Sequence, residues 1–144
     1  MKRTLITGIT GFAGSFLAEH LLSLNIQDQE IYGTYLSDSS LENIQSIKEN
    51  LSLTKIDLTD SSAVEELIKS VMPSEIYHLA ALPSPADSYA DPATYIHNNV
   101  DVQLHILEAL KKHSPQTRLV LVSSGEVYGQ VNPDELPLDE NTLF

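Results

Sequence analysis

The stretch that decides the fold is Leu5-Ile6-Thr7-Gly8-Ile9-Thr10-Gly11-Phe12-Ala13-Gly14, close to the start of the chain. The short apolar run before Gly8 is typical of a buried strand, and a helical period of apolar residues begins after Gly14. Glycines at three-residue spacing let the backbone turn tightly and approach a pyrophosphate, and the following helix offers free amides to phosphates. We therefore predict a dinucleotide-binding loop with these contacts: Gly8, Thr10, Gly11, Phe12, Ala13 and Gly14.

Beyond this loop, strand-like and helix-like segments alternate along the chain. The apolar patterns predict further strands over 30–36, 51–57, 75–81 and 117–123. Between them we expect a short amphipathic helix over 41–51, a helix that ends at Pro73, a loop over 82–90 and a long helix over 91–113. The expected inward residues of the long helix are Ile96, Val100, Leu104, Leu107 and Leu110.

Helical crossovers between strands imply an α/β fold: a doubly wound parallel sheet of the Rossmann type, with five strands and helices on both faces. In such a sheet the ligand lies at the carboxyl ends of the strands, near the point where the strand order reverses. The predicted glycine loop lies at such an end. The fold therefore supports the binding site that the loop predicts.

Composition and charge fit one globular domain. The chain has 144 residues, 42% of them hydrophobic, and a net charge of −12. Such an acidic surface disfavours nucleic acid and anionic membranes as partners. There is no cysteine, which excludes thiolate catalysis and zinc–thiolate sites, and no apolar run of the length of a signal peptide or membrane span. We expect a cytoplasmic protein.

The histidines do not have metal-site spacing. His97, His105 and His113 are eight residues apart, whereas tight chelation from a helix needs ligands four apart. We expect these side chains to be solvated on a helix, and we predict no metal site.

The end of the second predicted strand carries the residues that distinguish NAD from NADP. An acid for the ribose is expected about 20 residues beyond the glycines. Tyr35 stands at that place, and the nearest acid, Asp38, comes three residues later. No arginine lies nearby to meet a 2′-phosphate. The sequence leaves NAD and NADP open as cofactors.

Five ordered motifs resemble the extended short-chain dehydrogenase/reductase family, the nucleotide-sugar epimerases and dehydratases. They are the Gly-x-x-Gly-Phe-x-Gly loop, an acid–apolar pair after the third strand, a His-Leu-Ala-Ala segment, an Asn-Val helix and a Ser-Ser-x-x-Val-Tyr-Gly segment after the fifth strand. The resemblance implies further cofactor contacts at Asp57, Leu58, Leu79, Ala80, Ala81 and Asn99.

Within this family the sequence is most similar to the GDP-mannose 4,6-dehydratase branch. That branch has a hydroxyl residue followed two positions later by a glutamate, a spacing that Ser124 and Glu126 match. The resemblance implies that Ser124 holds a sugar hydroxyl and that Glu126 is the elimination base. Ser84 and Ser88 are candidate substrate contacts, although a polar loop is an equal interpretation.

One family motif is missing from these 144 residues. Relatives carry Tyr-x-x-x-Lys beyond the Val-Tyr-Gly motif, whereas Tyr128 is followed four residues later by Asn132, and no later tyrosine occurs. We expect residues 1–144 to be the NAD(P)-binding domain of a longer, homo-oligomeric enzyme with a nucleotide-sugar substrate. The alternatives are a 4-reductase or 4-epimerase of the same family, or a non-catalytic dinucleotide-binding module.

Overall fold

The computed structural model describes residues 2–142, apart from the side chains of Ser39 and Glu135. Five parallel strands form one sheet in the order β3-β2-β1-β4-β5. The order reverses between β1 and β4, which is the place where doubly wound sheets bind ligands. This sheet confirms the predicted fold class. The strands are β1 (Lys2–Thr7), β2 (Gln29–Tyr35), β3 (Ser52–Lys55), β4 (Glu75–His78) and β5 (Arg118–Leu121).

The helices connect the strands, and several begin at a clear capping signal. Asp60 accepts hydrogen bonds from the amides of Ser62 and Ala63 and so starts the second helix. Asp91 caps the fourth helix in the same way, and a proline occupies its first turn. The helices are α1 (Phe12–Ser23), α2 (Ser61–Val71), α3 (Pro85–Ala90), α4 (Pro92–Ile96) and α5 (Val102–His113), with a π-helical turn over His97–Asp101.

Adjacent residues of β1 point into two separate apolar layers, as alternation along a strand requires. Leu5 packs with Val64 and Ile68 of α2 and with Ile106 of α5. On the opposite face, Ile6 packs with the residues of a second cluster: Ile9, Ala18, Leu21, Ile31 and Ile44. Both faces of the sheet are therefore covered. No helix within residues 2–142 is long and apolar enough to cross a membrane.

Several predicted boundaries need correction. The segment expected to be an amphipathic helix over 41–51 forms two 3-10 turns, Asp38–Ile44 and Lys48–Asn50. The segment expected to be a loop over 82–90 contains α3. Helix α1 begins at Phe12 rather than after Gly14, because Gly14 is small enough for the first turn to lie against the carbonyl of Gly8. The later strands are shorter than predicted, because their last residues leave the sheet toward the candidate site.

The predicted inward face of the long helix is wrong at four of its five residues. Ile96, Val100, Leu104 and Leu107 are about half exposed, and only Leu110 is buried. The residues that face the sheet are Val102, Ile106, Ala109 and Leu110. The segment carries two apolar stripes, and hydrophobic periodicity alone does not tell which stripe faces the core.

The three histidines expected to be solvated all have partners: the exposed His97 pairs with Asp101, and the other two connect α5 to neighbouring segments. His113 lies 2.9 Å from Glu65, which also pairs with Lys112, and the His113 side chain is only 18% exposed. His105 Nδ1 lies 3.2 Å from the carbonyl oxygen of Leu58. Hydrogen bonds to the carboxylate, from Lys112 first and then from His113, lower the pKa of Glu65 to about 2. The contacts of Glu65 fasten α5 to α2, and that of His105 fastens α5 to the segment after β3.

Candidate functional site

The glycine loop joins β1 to α1 and requires glycine at both ends. Gly8 has a φ of +68°, and a Cβ there would lie 2.9 Å from the Cα of Ala80. A Cβ on Gly14 would lie 2.4 Å from the carbonyl oxygen of Gly8, far inside contact distance. The loop is therefore folded tightly between β4 and the first turn of α1, with its backbone close to the switch point of the sheet.

The N-terminus of α1 is the exception among helices α1 to α4. Asp60 caps α2, Ser84 caps α3 and Asp91 caps α4, but within the described chain no side chain caps α1 at Gly11. Its first turn also contains no acid. The first-turn amides of a helix lack helical acceptors and carry the positive end of the dipole. The predicted contacts Phe12 and Ala13 belong to this turn, which can receive an anion.

A buried network fixes the distance between the ends of β1 and β4. The Thr7 hydroxyl accepts hydrogen bonds from the amides of Leu79 and Ala80 at 3.2 and 3.3 Å. It lies 2.6 Å from Nδ1 of His78, and because its oxygen already accepts two amides, it donates its proton to this nitrogen. Burial lowers the pKa of His78 to about 4, so the ring is neutral at pH 7.

A cavity of about 280 Å³ opens at the carboxyl ends of β1 to β4. The loop contributes Gly8 and Thr10, and the segment after β4 contributes Ala80 and Ala81. Asp57 and Leu58 line the cavity from the segment after β3. Six predicted cofactor contacts from three separate segments therefore meet around one cavity: Gly8, Thr10, Asp57, Leu58, Ala80 and Ala81.

Asp57 is the one charged residue among the described side chains that line this cavity. Its Oδ1 accepts hydrogen bonds from the amide and the hydroxyl of Thr59, at 2.9 and 2.7 Å. These hydrogen bonds lower the pKa of Asp57, the side-chain bond most strongly. The carboxylate is therefore ionised and held in place, and it can accept a hydrogen bond from an amino group of a ligand.

The side chain of Asn99 is bonded to the segment after β4 and does not line the cavity. Its side-chain amide forms two hydrogen bonds with the backbone of Leu82, accepting from the nitrogen at 2.9 Å and donating to the oxygen at 3.0 Å. Asn98, one residue earlier in the π-helical turn, lines the cavity instead. Asn99 thus holds the segment after β4, and its predicted contact with the cofactor stays a prediction. Leu79 packs against the apolar cluster around Ile6 and does not line the cavity.

Ser124 and Glu126 follow β5 at the same edge of the sheet. The Ser124 oxygen accepts a hydrogen bond from the amide of Glu126 at 3.2 Å and caps a 3-10 turn over Gly125–Tyr128. Both side chains are exposed and neither lines the cavity. Because β5 is the neighbour of β4, the pair lies on the β5 side of the switch point, where its hydroxyl and carboxylate are open to a ligand.

Of the candidate substrate contacts, Ser84 caps α3 and Ser88 lies within it. The Ser84 hydroxyl accepts a hydrogen bond from the amide of Asp87 at 3.4 Å, and the Ser88 hydroxyl donates to the carbonyl of Pro85 at 2.6 Å. These bonds explain why serines suit both positions in a short helix. A role in substrate binding stays a prediction for both.

Sequence reasoning missed much of the wall that β2 supplies. Thr34 accepts a hydrogen bond from the Gly8 amide at 3.3 Å, and its carbonyl accepts from the Ile9 amide at 3.1 Å. The polar run directly after the strand was the available signal, because residues after β2 share an edge with the glycine loop. Apart from Tyr35, which the sequence places at the ribose position, the lining residues that were not predicted are Thr34, Leu36, Ser37, Ser40, Ile56, Thr59, Leu82, Asn98 and Val102.

The sheet order, the glycine turn and the cavity at the switch point define a Rossmann-like domain. Comparison with known proteins narrows the class further. A family model described as GDP-mannose 4,6 dehydratase matches residues 5–144, and the chain belongs to this family. The family lies among the nucleotide-sugar dehydratases and epimerases, as the motifs predict.

Individual proteins agree with this assignment. The chain is 35% identical, over its whole length, to a GDP-mannose 4,6-dehydratase from Yersinia enterocolitica, of which it covers 40%. A UDP-glucose 4-epimerase from Stenotrophomonas maltophila has been solved with NAD and formylated UDP-arabinopyranose. The alignment covers 99% of this chain and 42% of the epimerase chain, at a TM-score of 0.81 and 25% identity. A dTDP-glucose 4,6-dehydratase from Bacillus anthracis has been solved in complex with NAD. The alignment covers 92% of this chain and 41% of the dehydratase chain, at a TM-score of 0.76 and 27% identity. The chain thus spans about 40% of the length of these relatives.

Proposed function

We propose that this chain is the cofactor-binding part of a nucleotide-sugar 4,6-dehydratase of the GDP-mannose type. The observation that carries the proposal is the convergence of the glycine loop, the uncapped α1 N-terminus and the Asp57 cavity at one switch point. The family model and the Yersinia relative support the dehydratase branch. The solved relatives with NAD support a nicotinamide dinucleotide as cofactor.

The residues present suit such a dinucleotide. A Cβ on Gly11 would lie 3.3 Å from the Gly8 oxygen, directly before the first-turn amides of α1, so a side chain there would fill the space that a phosphate needs. The amides of Phe12 and Ala13 would bind the pyrophosphate. Asp57 would accept a hydrogen bond from the adenine end. When bound, the nicotinamide would supply hydride exchange, taking a hydride from C4 of the sugar and giving it to C6 after the loss of water.

For the sugar chemistry, we propose separate roles for Ser124 and Glu126. The Ser124 hydroxyl would hold the 4-hydroxyl of the sugar, whose oxidation makes the proton on C5 acidic. The Glu126 carboxylate would take this C5 proton and pass it to the C6 hydroxyl, which would leave as water, and C5 would regain a proton from solvent when C6 takes the hydride. Its exposed position allows a substrate to reach it. Gly125 has open space around its Cα, which leaves room for the sugar between the two side chains.

The other expected properties of the full-length protein belong to the same proposal. Its partners would be a nucleotide sugar and further copies of itself, in the cytoplasm. The net charge of −12 supports the absence of a nucleic-acid partner. The second candidate function is a nucleotide-sugar 4-epimerase, favoured by the epimerase with the same sheet at a TM-score of 0.81.

The test is an assay of the full-length protein with GDP-mannose, NAD or NADP, and mass spectrometry of the sugar product. A dehydratase removes one water and an epimerase leaves the mass unchanged, whereas a 4-reductase would not react, because it needs a 4-keto sugar and a reduced cofactor. We expect loss of water. Glu126→Gln should lower the rate at least about 100-fold, the ordinary contribution of a general base, while binding the cofactor normally.

Glu49→Gln is the matched control. Glu49 is an exposed acid in a 3-10 turn before β3, so it lies away from the carboxyl ends of the strands, where the candidate site is. Its rate should equal that of the wild type. Dehydration at the original rate by Glu126→Gln would remove Glu126 from the mechanism. Conversion of a UDP-sugar into its 4-epimer, which has the same mass and is separated by chromatography, together with no reaction of GDP-mannose, would establish the epimerase alternative instead.

A further inference from the structure

His105 connects helix α5 to the wall of the candidate cofactor cavity. Its Nδ1 lies 3.2 Å from the carbonyl oxygen of Leu58, a residue far away in the sequence. Because a carbonyl oxygen only accepts hydrogen bonds, the imidazole is the donor in this contact. Leu58 lines the cavity beside Asp57, the charged residue of the wall. The contact therefore joins a side chain behind the wall to the segment that forms it.

The carbonyl that His105 holds belongs to the same peptide group as the amide of Thr59. This amide donates a hydrogen bond of 2.9 Å to Oδ1 of Asp57. Because a peptide group is planar, a side chain that fixes the direction of its oxygen also fixes the direction of its N–H. Hydrogen bonds thus run from His105 through one peptide group to the Asp57 carboxylate. Bonds in such a chain polarise and strengthen one another.

Other bonds hold the two ends of the segment that carries Asp57. At its start, the Ile56 amide donates to the carbonyl of Tyr35 at 2.9 Å and continues the pairing of β2 with β3. At its end, Asp60 caps α2. His105 contacts the segment between these two ends. Its hydrogen bond therefore restrains the middle of the segment, which is the part beside the cavity.

Packing of α5 against the same segment brings the imidazole to this carbonyl. Val102, three residues before His105, lines the cavity and belongs to one apolar cluster with Leu58 and Ile106. Residues three apart are neighbours on a helix surface, so α5 contacts the segment through apolar packing and the hydrogen bond together. Apolar packing is non-directional, whereas a hydrogen bond depends on angle. The orientation of the peptide group is therefore the contribution of His105.

We propose that His105 is a positioning residue of the dinucleotide site, which orients the Asp57 carboxylate through the peptide group between Leu58 and Thr59. The inference rests on the dinucleotide site proposed above. His105 does not touch the ligand itself. It acts before the ligand arrives, because a carboxylate that is already held in its binding direction loses less conformational freedom when it accepts a hydrogen bond.

The experiment is isothermal titration calorimetry of the full-length protein with NAD, for the wild type, His105→Leu and His105→Asn. Leucine has no donor, so NAD should bind at least about threefold more weakly. The side-chain nitrogen of asparagine is as many bonds from Cα as Nδ1 of histidine, so it can donate in the same place and should keep the affinity within about twofold of wild type. His105→Ala also lacks a donor and should behave as His105→Leu does, without adding an apolar branch.

His113→Leu is the matched control. It makes the same change two helical turns further along α5 and removes a contact with Glu65 of α2 rather than one with the cavity wall. It should lower the free energy of unfolding in urea and leave the NAD affinity within about twofold of wild type. An equal loss of affinity in His113→Leu and His105→Leu would show that loosening of α5 is the cause, and would overturn the inference.

A double-mutant cycle with Asp57→Ala tests whether His105 acts through the carboxylate. Without the carboxylate there is nothing left to orient, so adding His105→Leu should change the NAD affinity by less than about twofold. A further loss as large as in the wild-type background would overturn the inference, as would NAD binding by His105→Leu at wild-type strength. Both results leave the dinucleotide site intact, whereas no binding of NAD by the wild type would overturn the site itself, and the inference with it.

Discussion

At the residue scale, the pair of Thr7 and His78 explains how two backbones meet at the switch point. Thr7 ends β1 and His78 ends β4, and the two are register partners. The hydroxyl of Thr7 holds the first two amides after β4, which is the segment that packs against Gly8. The neutral imidazole accepts the remaining proton of this network, so no buried polar atom of the pair lacks a partner.

His78 predicts a pH dependence of stability. Its pKa is about 4 in the folded protein, against an ordinary value of 6.5, so between these values the unfolded chain binds more protons. The stabilisation is fully present above pH 6.5 and is lost as the pH falls toward 4. The loss can reach about 3 kcal/mol, and urea unfolding at several pH values in this window would measure it.

Two variants separate His78 from the carboxylates that titrate over the same range. His78→Gln can still accept the proton of Thr7 but does not titrate, so its unfolding free energy should fall less between pH 6.5 and pH 4. His20→Gln replaces an exposed histidine on α1 and should keep the wild-type slope. The same slope in all three proteins would contradict a buried neutral His78.

At the scale of elements, capping separates structural helices from the candidate binding helix. Asp60 satisfies two amides of α2, whereas the equivalent amides of α1 are left for a ligand. We expect Asp60→Ala to lower the free energy of unfolding by about 1 kcal/mol, the usual value of such a cap, without changing dinucleotide affinity.

Urea denaturation of the two proteins measures this loss. Glu19→Ala is the control, since Glu19 is an exposed acid in the middle of α1 and caps nothing. It should unfold close to the wild-type midpoint. If Asp60→Ala were as stable as Glu19→Ala, the cap would contribute nothing to α2.

The parts of the site that could be predicted are those that depend on local backbone geometry. The spacing of Gly8, Gly11 and Gly14 and the position of Asp57 after a strand depend on local backbone geometry, which residue types reveal directly. The face of α5 could not be predicted, because Leu104 and Leu107 form an apolar stripe as convincing as the buried one.

Contacts between segments that are distant in sequence explain why the partners of Asn99 and His105 could not be predicted. Asn99 bonds to Leu82 across 17 residues, and His105 reaches Leu58 across 47. Which of Asn98 and Asn99 lines the cavity depends on a π-helical turn, which adds a residue to one helical turn. No periodicity in the sequence indicates such a turn, so the directions of the side chains around it can be seen only in the structure.

At the scale of the whole molecule, charge and topology agree on where the proposed dinucleotide would bind. The sheet brings the glycine loop and the ends of β2, β3 and β4 to one edge, and the lysines and arginines lie mainly at the other. Backbone amides at the α1 N-terminus, rather than cationic side chains, are thus the main attraction for a pyrophosphate among the described residues. Dinucleotide binding by this loop is the proposal on which the other proposed roles depend.

The most direct measurement of this claim is a calorimetric titration of full-length wild type, Gly11→Leu and Ser70→Leu with NAD. Gly11 has an extended backbone that leucine can adopt, but the new side chain would fill the space before the α1 amides. The account predicts NAD binding to the wild type and to Ser70→Leu, an exposed position near the end of α2, and at least about tenfold weaker binding to Gly11→Leu. Equal binding by Gly11→Leu and wild type, with both folded, would contradict it.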